Sequence, residues 1–117
     1  IKVLLLICCG SLFLIQGQNQ EIRESIEQRI ERAMQYGVEG QHEEAYASFR
    51  SAFDMASERD DGMSLFNSTS LNNFGLAAHR SGRGEEALDL FRMACSADSS
   101  FCSELSVMLK QAGLFAE

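Results

Sequence analysis

One string occurs twice in this chain. Residues 40–52 read GQHEEAYASFRSA and residues 82–94 read GRGEEALDLFRMA, identical at seven of thirteen places without a gap, at an offset of 42. A segment repeated at such an interval marks stacked copies of one supersecondary unit, because a single copy cannot bury its own apolar face. The shared letters describe the start of a helix. Gly40 and Gly82 suit a tight turn that needs positive φ. Glu43-Glu44 and Glu85-Glu86 then fall in a first turn, where the helix dipole favours negative charge. Ala45, Phe49, Ala52 and Ala56 follow at helical spacing, and Ala87, Phe91 and Ala94 repeat it. This small–large–small face lets a neighbouring helix come close around an aromatic ring.

Further apolar stripes precede and follow the copies. Ile22, Ile26, Ile30, Ala33 and Gly37 form one, and Leu71, Phe74, Gly75 and Ala78 another; Leu105, Leu109 and Ala112 form a last one, closed by Gly113. The spacing predicts five helices, at roughly 20–38, 42–58, 68–81, 84–97 and 101–113, with turns around Asp60-Asp61-Gly62 and Ala97 to Ser100. No window alternates like a strand. The expected class is all-α, an α-solenoid of antiparallel helix pairs.

These residues resemble the tetratricopeptide repeat (TPR), a helix–turn–helix unit of about 34 residues with a W-x2-L-G-x2-Y, A-x3-F and P pattern. The second copy, about 68–98, carries Leu71-x2-Phe74-Gly75-x2-Ala78, then Ala87-x3-Phe91 and Ala94. The first, about 26–58, keeps Ala33-x2-Tyr36 and Ala45-x3-Phe49, but places Arg29 and Arg32 where large apolar residues belong. A third, 101–117, starts with Leu105 and Leu109 and stops at Gln111 to Glu117. Ser57 and Ser99 stand in place of the closing proline. An insertion near Arg59 to Asn67 either lengthens the helices or makes a protruding loop.

The first residues are read apart from the repeats. Lys2 is followed by thirteen uncharged residues, Val3 to Ile15. That is too short for the roughly 18–20 apolar residues of a membrane span and fits the apolar centre of a secretory signal peptide. Residues 1–17 are therefore expected to be a cleaved leader, with a short anchor and a buried helix as alternatives, and residues 18–117 the repeat domain. The expected place is the secretory lumen or the medium. Ile1 in place of Met, and an end inside the third copy, raise the expectation of a fragment. Ten basic against seventeen acidic residues give a net charge of −7. Such a chain has no basic field for nucleic acid and is repelled by anionic membranes.

The resemblance implies a groove floored by the first helix of each pair: Ile30, Met34 and Val38 from copy one, and Asn72, Leu76, His79 and Arg80 from copy two. Ile30 and Met34 also read as plain core. Helical spacing independently places 72, 76, 79 and 80 on one face. The groove mixes an apolar floor with a firm cation and an imidazole, which suits a peptide or protein segment of apolar and partly acidic character. Cys95 and Cys102 flank the turn at Ala97–Ser100 and read either as a disulfide or as two buried thiols. Asn67-Ser68-Thr69 reads either as a glycosylation acceptor or as a helix cap. His42 and His79 are isolated, the Glu pairs diverge on a helix, and no nucleophile turn or phosphate loop occurs, so no catalytic residue, metal or cofactor is expected. The leading reading is a non-catalytic interaction scaffold. The alternative is the substrate-docking front piece of a larger secretory-pathway enzyme, of hydroxylase or glycosyl- or sulfo-transferase type.

Overall fold

The computed structural model describes the backbone of residues 2–111 and the side chains of residues 20–111. The Ala112–Glu117 end of the third copy lies outside the described residues. Among the described residues five α-helices follow in order: α1 Lys2–Val38, α2 His42–Ser57, α3 Ser68–Arg80, α4 Gly84–Ala97 and α5 Cys102–Gln111. Among the described residues there is no strand. The expected all-α architecture of helix pairs is the one observed: α1 packs on α2, α3 on α4, α2 on α3 and α4 on α5.

One boundary differs. The first helix begins at Lys2, not near residue 20. The sequence contains no proline, so nothing forces a break between the apolar run and the first repeat helix.

The two glycine turns are built alike. Gly40 and Gly82 have φ of 79° and 86°. In the first turn the Gln41 N–H donates to the Tyr36 carbonyl at 2.9 Å and the Gly40 N–H to that of Gly37 at 3.1 Å. In the second, the Arg83 N–H donates to Ala78 at 2.8 Å and the Gly82 N–H to His79 at 3.1 Å. This paired 6→1 and 5→2 arrangement satisfies carbonyls that the ends of α1 and α3 leave free, and it requires the left-handed residue that glycine supplies. Glu43-Glu44 and Glu85-Glu86 lie in the first turns of α2 and α4, as the dipole argument expects.

The insertion neither lengthens the helices nor protrudes. It coils into a 3₁₀ turn, Gly62–Leu65, that folds back under α2. Gly62 is buried there, and a Cβ on it would fall on the Ala56 carbonyl. Phe66 at the end of the turn is 5% exposed and joins the core. The turn stays in because an apolar anchor outweighs the freedom of a loop.

The core is the stripe set predicted from the repeat. Ala45, Phe49, Ala52, Phe74, Ala87, Phe91 and Ala94 are buried, together with Ile26, Ile30 and Ala33. Ile22, 38% exposed, and the half-buried Gly37 are the members of the first stripe that do not join the core. Helix α5 is attached more lightly: Leu105 and Met108 pack against the core, but none of its residues is fully buried.

Gly75 decides how closely the second pair packs. A Cβ there would meet the Phe91 ring at 2.8 and 2.9 Å. Helix propensity alone would favour alanine by about 1 kcal/mol, whereas overpacking a filled core costs about 1–3 kcal/mol. Gly75→Ala is therefore expected to lose about 0–2 kcal/mol net in urea unfolding. A gain in stability would mean that the ring has room to move. Phe91→Ala should lose about 3–5 kcal/mol, and a loss below about 1 kcal/mol would contradict the packing.

Candidate binding cleft

α1 and α3 touch each other little, and α2 lies behind both. The space left between them is a cleft of about 220 Å³. Its floor is Ala45 and Phe49 of α2. One wall is Ala33, Met34, Gly37 and Val38 of α1, and the other is Asn73, Leu76, Ala77 and Arg80 of α3. His42, the first residue of α2, closes one end. Arg80 is exposed and pairs with no acidic residue among those described. The cleft therefore offers apolar walls and one uncompensated cation.

Of the residues expected in the groove, the structure brings Met34, Val38, Leu76 and Arg80 together. Ile30 is core, 6% exposed, which is the plainer of its two readings. Asn72 and His79 fall elsewhere. Asn72 is 8% exposed with its Oδ1 unpaired, and His79 is exposed outside the cleft. On a helix, 72 and 79 lie about a quarter turn from the 73, 76, 77 and 80 stripe that faces α1. The 72–76–79–80 face straddled that edge, so it missed Asn73 and Ala77. The signal for them was present, since 73, 76, 77 and 80 keep the i, i+3, i+4, i+7 spacing.

Two further sites have definite geometry. Cys95 and Cys102 are joined as a disulfide with Cα atoms 4.6 Å apart, tying the end of α4 to the start of α5. Asn67 is the N-cap of α3, its Oδ1 accepting from the Ser70 N–H at 2.8 Å.

A polar cluster that sequence reasoning overlooked joins the second helices of the two pairs. The Tyr46 hydroxyl donates to Glu86 Oε2 at 2.6 Å, and Arg50 Nη1 donates to Glu86 Oε1 at 2.7 Å. Arg50 also holds Asp54 at 2.6 Å, while the Arg83 guanidinium lies over the Tyr46 ring, 4.0 Å from its centroid. Asp54 and then Glu86 hold Arg50 more firmly protonated than a free guanidinium. Exposed ion pairs are worth about 0–1 kcal/mol each, so this cluster sets the register of α4 on α2 more than it drives folding.

Among the described residues no group of three or more His, Cys, Asp or Glu is placed to hold a metal ion. No described helix is long and apolar enough to cross a membrane.

A family model described as tetratricopeptide repeat matches residues 29–100, more than half of the chain. The chain belongs to the tetratricopeptide repeat family. No curated protein and no solved structure matches it. The matched TPR segment runs from α1 to the turn after α4 and contains both cleft walls and the polar cluster. Membership of the TPR family suggests a protein–protein interaction module, and such modules are in general non-catalytic.

The polar cluster makes a titration testable. Burial first, then the hydrogen bond and charge of Glu86, raise the Tyr46 hydroxyl above its ordinary value of 10.0, with Arg83 and Arg50 opposing. A group whose folded value is raised stabilises the fold below its unfolded value and loses that contribution as pH rises through the folded one. In a Tyr36→Phe background Tyr46 is the only tyrosine in the sequence. Ultraviolet absorbance should show it ionising late, and Glu86→Gln should bring the transition to lower pH. An unmoved transition would contradict the Tyr46–Glu86 bond.

Proposed function

We propose that this TPR chain is a secreted or lumenal scaffold that holds a peptide or protein segment in the α1–α3 cleft and performs no chemistry itself. One observation carries the reading: Arg80, without an acidic partner among the described residues, lines an apolar cleft walled by Met34 and Leu76. The occupant that fits is an extended or helical segment with an apolar side chain next to a carboxylate. The side chain enters between Met34 and Leu76, and the carboxylate meets Arg80 by a charge-assisted hydrogen bond. The uncharged run Val3–Ile15 and the Cys95–Cys102 disulfide support an oxidising compartment.

Wild type and a Leu76→Asp/Arg80→Glu variant, used as baits on secretory-pathway extract, test the cleft. Both positions are partly or fully exposed, so the variant should fold. Recovery of cleft-bound partners should fall at least about tenfold, equivalent to about 1.4 kcal/mol. Equal recovery of every partner by both baits would remove the cleft from the account. Expression in a eukaryotic secretory host tests the leader. The expected product begins near Gln18 and is found in the lumen or medium, and a cytosolic product that retains Lys2 counts against it.

A further inference from the structure

Asn67 heads the only Asn-x-Ser/Thr triplet in the sequence, Asn67-Ser68-Thr69. The two readings of this triplet, cap and acceptor, compete only if they need the same atom. They do not. The cap uses Oδ1, which accepts from the Ser70 N–H at 2.8 Å and from the Ser70 hydroxyl at 3.1 Å. Nδ2 makes no hydrogen bond among the described residues, and Asn67 and Thr69 are both exposed. The Asn67 backbone is extended, with φ −83° and ψ 177°, and leads out of the Phe66 anchor into α3.

From this geometry we infer that Asn67 carries an N-linked glycan on Nδ2 while its Oδ1 continues to cap α3. The inference rests on the lumenal placement proposed above, which the Cys95–Cys102 disulfide supports. The donor is a lipid-linked oligosaccharide pyrophosphate of the host lumen. The Nδ2–anomeric carbon bond forms as the anomeric carbon–oxygen bond breaks. The lipid pyrophosphate leaves with that electron pair, and one amide proton passes to a base of the transferase. The product amide keeps its carbonyl oxygen, so the cap survives the modification. α3 rises about 1.5 Å per residue, which puts Asn67 roughly 20 Å from Arg80 along the helix. The glycan thus stands at the far end of α3 from the cation of the cleft.

The test directs the full chain into the lumen of a eukaryotic host with an added, cleavable secretory signal, which separates this site from the chain's own leader. The expected product runs slow on gels, and a glycoamidase restores its mobility and leaves aspartate at position 67 by mass spectrometry. Thr69→Ala should abolish the modification and melt like unglycosylated wild type, with Asn67 intact, from a host that lacks the transferase, because the Oδ1 cap is untouched. Asn67→Gln should lose the modification and also melt lower. Unmodified Asn67 in chains whose added signal has been cleaved would overturn the inference. So would a modification that persists in Thr69→Ala. Glycosylation with the added signal but not with the native leader would count against the leader and leave the site standing.

Discussion

Everything else in this structure depends on the seating of one ring. Phe74 of α3 is fully buried and stacks on Phe49 of α2, 5.4 Å between centroids and 18° between planes. It also meets Tyr46 at 5.8 Å and Phe53 at 5.7 Å, both on α2, and Phe66 of the insertion at 6.5 Å. Offset and tilted aromatic pairs contribute about 0.5–1.5 kcal/mol beyond their buried area. Here four of them converge on a residue of the second pair, and all their partners belong to the first pair or the insertion. The adjacent Gly75 places the Phe91 ring of α4 against the other side of α3. α3 is thereby fixed to its neighbours on both sides, by aromatic stacking on one and by the lack of a side chain on the other.

The cleft is a consequence of that arrangement. With α3 held on α2 through Phe74 and Phe49, and α1 held on α2 through Ile26, Ile30 and Ala33, α1 and α3 are spaced by the helix beneath them. The small Ala45 at the floor and Ala33, Gly37 and Ala77 on the walls leave the space open. Met34 and Leu76 then present apolar surface that no element of the described chain covers completely. The polar cluster of Tyr46, Arg50, Arg83 and Glu86 lies on the outer side, where it locks the relative rotation of α2 and α4 without occupying the cleft.

Much of this was legible in the sequence because the two copies share it. Whatever both copies need for their own packing recurs at the same register, so the alanines, Phe49 and Phe91, the positive-φ glycines and the acidic first turns could be read by comparing them. What was not legible is what lies between copies. Tyr46 and Glu86 occupy places where the other copy has Leu88 and Glu44, and the Tyr46–Glu86 bond is an asymmetry that no alignment of the two strings reveals. Phe66 was hidden for a related reason, since an insertion has no counterpart against which to judge it. Asn72 shows a third limit: a spacing rule picks out a helical face but not which flank of that face meets the neighbour. The cap of α3 by Asn67 follows from residue type alone.

The central claim is that Phe74 makes the two helix pairs one cooperative unit. Native-state amide exchange in the wild type and in Phe74→Leu tests it most directly. Both pairs are predicted to lose protection together and by the same free energy, in α2 as well as in α4, although the substitution lies in α3. Loss of protection confined to α3 and α4, with α1 and α2 unchanged, would show that each pair stands alone and would contradict the account.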